Sequence, residues 1–159
     1  MFNNLKERKL GLPGAVKVIS VKAPPLDTSQ VFIASRGALY TVDTARLSIE
    51  LVTTSTISDF AVGSDKIYWA DPDGIWSYNL IVRTTSKIGD SGTGIKNITL
   101  SSSGAYLAAI FNNGEFYIIP TNGEVKFKIA DFAVDAHFAS DDKKVAYQDV
   151  SGRFHIYFL

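Results

Sequence analysis

The strongest constraint on this chain is a recurring unit. Gly37, Gly74, Gly114 and Gly152 stand 37, 40 and 38 residues apart. Each precedes a short run rich in aromatic and β-branched residues: Ala38-Leu39-Tyr40, Ile75-Trp76-Ser77-Tyr78, Glu115-Phe116-Tyr117-Ile118-Ile119 and Arg153-Phe154-His155-Ile156-Tyr157. Such side chains suit pleated, half-buried surfaces. A period of about 40 residues with strand content describes a unit that cannot bury its own flanks and must stack on copies of itself.

Four sets of strands follow from this period. The first spans residues 15–53 and contains Ala15 to Val21, Val31 to Ala34, Ala38 to Val42 and Ser48 to Val52. The second, residues 57–88, contains Ile57 to Val62, Lys66 to Trp69, Ile75 to Tyr78 and Arg83 to Ile88. The third, residues 95–129, contains Ile95 to Leu100, Tyr106 to Phe111, Glu115 to Ile119 and Val125 to Ile129. The fourth, residues 134–159, contains Val134 to Phe138, Val145 to Tyr147 and Phe154 to Tyr157, one strand fewer. Residues 1–14 read as a flexible tail: Lys6-Glu7-Arg8-Lys9 is a solvated charge run, and Gly11-Leu12-Pro13-Gly14 breaks regular structure. The prolines of Ala23-Pro24-Pro25-Leu26-Asp27 place a loop there, because proline donates nothing to a ladder.

The turns agree with the sets. Asp71-Pro72-Asp73-Gly74, Asn112-Asn113-Gly114 and Val150-Ser151-Gly152 link second to third strands, with glycines suited to the positive φ of tight hairpins. Tyr106-Leu107-Ala108-Ala109-Ile110-Phe111 is apolar on both faces. A sheet with one wet face would alternate instead. A strand covered on both sides, in a unit repeated about every 40 residues, predicts an all-β β-propeller or propeller segment with four four-stranded blades, the last one strand short.

Two stretches also resemble known repeats. Leu100-Ser101-Ser102-Ser103-Gly104-Ala105-Tyr106-Leu107-Ala108 and Phe138-Ala139-Ser140-Asp141-Asp142-Lys143-Lys144-Val145-Ala146-Tyr147 are similar to the TolB-like, WD-related repeat, which runs Ser-Pro-Asp-Gly-Lys into an apolar strand. Here Ser102 replaces the Pro and Asp142 stands where Gly is usual. Lys66-Ile67-Tyr68-Trp69-Ala70-Asp71 resembles the Tyr-Trp-Thr-Asp repeat of extracellular receptor propellers, with Ala70 in place of Thr. The resemblance covers residues 15–159 and implies a propeller that commonly binds other molecules.

Composition excludes several classes. Sixteen basic and sixteen acidic residues balance to zero, so the excess positive charge that draws a protein to nucleic acid or anionic lipid is missing. No cysteine is present, which removes thiolate zinc sites, disulfides and cysteine nucleophiles. No apolar run approaches the about 18 residues of a membrane span. The polar start Met1 to Lys9 lacks the apolar core of a secretion signal. The expectation is a soluble chain with no cofactor and no metal; the compartment stays open.

A last set without its outer strand leaves unpaired N–H and C=O groups. Three arrangements would satisfy them: the N-terminal tail lies along that edge, two chains join into an eight-bladed ring, or a longer protein supplies more blades. Apolar faces at both ends of the array predict self-association through the end blades, against the rival of a tail-closed four-bladed ring.

Candidate chemistry is sparse. Asp135 and His137 are two apart and share a strand face. A carboxylate orienting a histidine is half of a catalytic device; no Gly-x-Ser-x-Gly elbow supplies a nucleophile, and a polar pair lining a channel or rim is the reading preferred. His155, the second histidine, falls in another strand of that blade. Asp71 to Gly74 lacks the further ligands of a calcium loop and reads as a turn. Gly89 to Gly94 lacks the Gly-Lys-Ser/Thr ending of a phosphate loop. Trp69, Trp76 and Tyr78 form the densest aromatic cluster, read first as packing between blades and second as an interface. Asp59, Asn97 and Asp135 hold matching places early in their first strands and are the channel-mouth candidates, with His137.

The function expected is non-enzymatic: a binding platform or scaffold for a protein partner, assembling with itself to complete the ring. The alternative is a ligand- or sugar-binding, even catalytic, propeller with its site at the central channel.

Overall fold

The computed structural model describes residues 17–24, 29–90, 92 and 94–159. The expected tail over residues 1–14, Ala15 and Val16 of the first expected strand, and Pro25 to Asp27 of the proline loop lie outside the described residues.

Among the described residues fifteen strands form four antiparallel sheets, and there is no helix. The first sheet is β1 (Val18–Lys22), β2 (Gln30–Ser35), β3 (Ala38–Asp43) and β4 (Ser48–Thr53). The second is β5 (Asp59–Val62), β6 (Lys66–Asp71), β7 (Gly74–Asn79) and β8 (Thr85–Gly89). The third is β9 (Ile95–Leu100), β10 (Tyr106–Phe111), β11 (Phe116–Pro120) and β12 (Phe127–Ala130). The fourth has three strands, β13 (Ala133–Phe138), β14 (Lys144–Asp149) and β15 (Phe154–Phe158). Within each sheet the strands lie in chain order. The first strands lie against one another in turn, β1 on β5, β5 on β9 and β9 on β13, so the sheets fan from a common inner edge.

The core lies between sheets rather than beneath one of them. On β6, Ile67 and Trp69 pack with Phe32, Leu39 and Phe60 between sheets one and two. Their neighbours Tyr68 and Ala70 face the other way, joining Ile75, Ile98, Leu107 and Phe111 between sheets two and three. On β10, Ala108 and Ile110 pack with Phe116, Ile118, Ala136 and Val145 between sheets three and four. Alternate residues of one strand point to opposite faces. A middle strand with a core on both sides therefore has no polar face, which accounts for the unbroken apolar run at Tyr106 to Phe111. Burying each large side chain contributes about 1.5–3 kcal/mol.

Three sequence expectations need correction. The strand expected from Arg83 starts at Thr85. Arg83 instead has φ 57° in the preceding turn, where Asn79 Oδ1 accepts the Ile81 and Val82 amides at 2.9 and 3.0 Å. A side-chain acceptor that mimics a backbone turn lets a non-glycine residue take the left-handed region; Asp43 and Leu47 (φ 55°) repeat the device in the first sheet. The strand expected from Val125 begins at Phe127, leaving Val125 exposed. Gly74 does not supply a positive φ as Gly114 and Gly152 do. A Cβ there would stand 2.5 Å from the Gly89 carbonyl oxygen, so glycine is needed for the close approach of β8.

Candidate interaction site

The inner strands place Asp59, Asn97 and Asp135 at one register position, opposite Ala70, Ile110 and Gln148 on the second strands. The Asp59 carboxylate is used for construction: Oδ1 meets Lys22 Nζ at 2.9 Å and Oδ2 accepts the Ile98 amide at 2.9 Å. The Lys22 ammonium also donates to the Phe60 carbonyl and lies 4.8 Å from the Phe60 ring centre. One half-buried carboxylate thus ties β1, β5 and β9, the inner strands of three successive sheets. Asn97 is half-buried on β9. Asp135 is exposed; Oδ1 accepts the Ala136 amide at 3.0 Å and Oδ2 lies 3.1 Å from His137 Nε2. The pair read from the two-residue spacing forms, on an open face.

The aromatic cluster is packing. Trp69 and Trp76 stack with ring centres 6.5 Å apart and planes 13° apart. Trp69 is buried, so it is out of reach of a partner, and Trp76 and Tyr78 are partly buried against the same core. Burial also raises the Tyr68 phenol above its usual range, offset by a hydrogen bond with Thr121.

Two carboxylate devices escaped the sequence reading. Asp71 accepts the Asp73 and Gly74 amides and the Trp76 indole N–H with Oδ1, and the Ser55 hydroxyl with Oδ2. Burial pushes its pKa up, but these four donors outweigh it and hold the carboxyl below its usual value. Asp149 repeats the plan in the fourth sheet: Oδ1 accepts the Ser151 and Arg153 amides, and Oδ2 lies 2.9 Å from His155 Nε2. The His155 ring, then the turn amides, lower its pKa. The recurring signal was an Asp closing the second strand with an N–H-bearing ring five or six residues on. Asp142, at φ 56°, sends its carboxylate across to the Ser102 and Ser103 amides at 2.7 and 2.6 Å. The residue that departs from the usual glycine therefore clamps the fourth sheet to the third.

A cleft of about 500 Å³ lies between sheets two and three, bordered by Asp65, Lys66, Tyr68, Ser101, Ser103 and Thr121. It opens where first strands turn into second strands and touches none of the channel-mouth candidates. Among the described residues no three His, Asp or Glu side chains gather as a metal site, and no helix is long and apolar enough to cross a membrane.

The end sheets show the largest departure from the repeat. Leu39, Ile75 and Phe116 occupy one register position and are each 0% exposed; Phe154 holds the same position in the fourth sheet and is 78% exposed. Ile118 is 1% exposed and its counterpart Ile156 is 64% exposed. Phe158 and Leu159 add to this open surface. At the other end, Val21 (56%) and Leu51 (51%) lie on the open face of sheet one with Ile33 and Tyr40.

Solved structures share this arrangement. TolB from Acinetobacter baumannii superposes with a TM-score of 0.68 at 15% identity, over 90% of this chain and 44% of that one. A chain of the mitotic checkpoint complex gives 0.76 at 12% identity, over 92% and 49%. The fold is a β-propeller. The tricorn protease also matches, at 0.74 and 14% identity, over 95% of this chain and 17% of that one. The chain spans less than half the length of each, and at these identities the likeness is one of fold. No protein-family model and no curated protein matches the sequence. The four sheets are propeller blades, the last one strand short, as the repeat predicts.

Proposed function

We propose that this arc of four blades is a non-enzymatic protein-binding platform whose two end blades are covered by protein that completes the ring. The observation that carries the reading is the exposure of Phe154 and Ile156 at register positions that are buried in every preceding blade bearing an apolar residue there. Contiguous apolar surface of this kind marks sites of protein contact. These carboxylates do not favour catalysis: Asp149 and Asp71 are engaged in building turns, and Asp59 in joining blades.

A photo-crosslinking amino acid tests this. Placed at Phe154 or Leu51 in the cells that express the chain, it should yield protein adducts. At Arg46, whose side chain projects from an exposed turn, it should yield none. No adduct from either end-blade position would overturn the reading.

A further inference from the structure

Building on that reading, we propose that the protein covering the end blades is a second copy of this chain, joined head to tail so that two arcs close one eight-bladed ring. The chain carries both halves of its own interior interface. Each internal junction sets one kind of face against another: Ala108, Ile110, Phe116 and Ile118 of blade three meet Val145 and Tyr147 of blade four. The open face of blade four presents Ala146, Gln148, Phe154 and Ile156, the register counterparts of the first group. The face of blade one turned away from blade two carries half-buried Val31 and Ile33, the counterparts of the second, beside the exposed Val21. Faces that are complementary inside the array are thus left open at opposite ends of it.

The inner edge extends the match. Asp59 Oδ2 accepts the amide of Ile98 in the following blade. Asp135 is the register counterpart of Asp59, and Val21 that of Ile98. Closing the ring sets the exposed Asp135 carboxylate opposite the Val21 amide of the second copy. The size agrees as well. Two arcs of four blades make eight, within the usual four to eight blades. A two-fold axis makes the two junctions equivalent and leaves no open end, which stops growth at a dimer.

The intact chain should sediment at twice its mass at about 100 micromolar, the range expected of an apolar interface of ordinary size. Ile156→Asp on blade four and Val21→Lys on blade one, whose register counterparts Ile118 and Ile98 are buried at an internal junction, each bury an unpaired charge and should weaken the dimer by about 100-fold or more. Mixing the two variants should restore a dimer, because one junction then carries both substitutions and the other is unaltered. Both side chains are exposed in the single chain, and far-UV circular dichroism checks that each variant folds. Phe154→Gln and Val21→Thr are milder substitutes at the same faces. A dimer that responds to Ile156→Asp but ignores Val21→Lys would be head to head and would overturn the proposal. A wild-type monomer at that concentration would overturn it too. The binding reading would then still stand if the Phe154 crosslink joined a different protein, and would fall if it joined none.

Discussion

Blade three and blade four are built to one plan and meet different surroundings. Phe116 and Phe154 sit opposite equivalent residues of the strand before, yet one is sealed between blades and the other lies in the open. Asp59 and Asp135 differ in the same way. The first bridges to its neighbours' Lys22 and Ile98; the second is left with its own Ala136 amide and His137. The repeat therefore specifies a surface and its register, while the neighbouring blade decides whether that surface becomes core. Side chains identical in chemistry stabilise the chain only where something packs on them.

Three measurements would break or sharpen this contrast. The largest effect is expected at the phenylalanines. Phe116→Ala should cost about 3–5 kcal/mol in urea unfolding, whereas Phe154→Ala should change the stability of the single chain by less than about 0.5 kcal/mol. Equal losses would show that the end blade is already covered. Next come the inner-strand carboxylates. Asp59→Ala leaves the Ile98 amide without its acceptor and Lys22 without its carboxylate partner, and should cost about 1–3 kcal/mol. Asp135→Ala should lie within about 0.5 kcal/mol in the single chain. The smallest effect concerns pH. The Asp71 carboxyl titrates below its ordinary value of 3.8 in the folded chain, its donors outweighing the opposing effect of burial. Its stabilisation is present above that value and is lost as pH falls through it toward the lower folded value. Unfolding midpoints from pH 6 down to about 2 should fall less steeply in Asp71→Asn than in the parent; parallel curves would remove Asp71 from the account.

Much of the fold was legible because its signals are local. Alternating and β-branched runs locate the strands, and Asn-Gly or Ser-Gly pairs locate the second turns at Gly114 and Gly152. Less was legible where a side chain substitutes for a local rule. Arg83 and Leu47 occupy positive φ without glycine because Asn79 and Asp43 accept the turn amides, a service visible only in three dimensions. Asp142 stood out as the wrong residue for its turn, but the Ser102 and Ser103 amides that use it belong to the adjoining blade. Of the channel-mouth residues, equivalence was readable and the partners of each carboxylate were not. Register comes from the strand period, whereas the contacts of Asp59 depend on how the blades splay.

The amino-acid sequence alone determined the period, the four sets and the shortfall of the last one, because strand pattern and turn chemistry act over a few residues. Which face of each blade is buried, and that Phe116 is core while Phe154 is open surface, was decided only by the tertiary structure. Burial is a property of the neighbour that arrives, and in a repeat that neighbour lies about forty residues away.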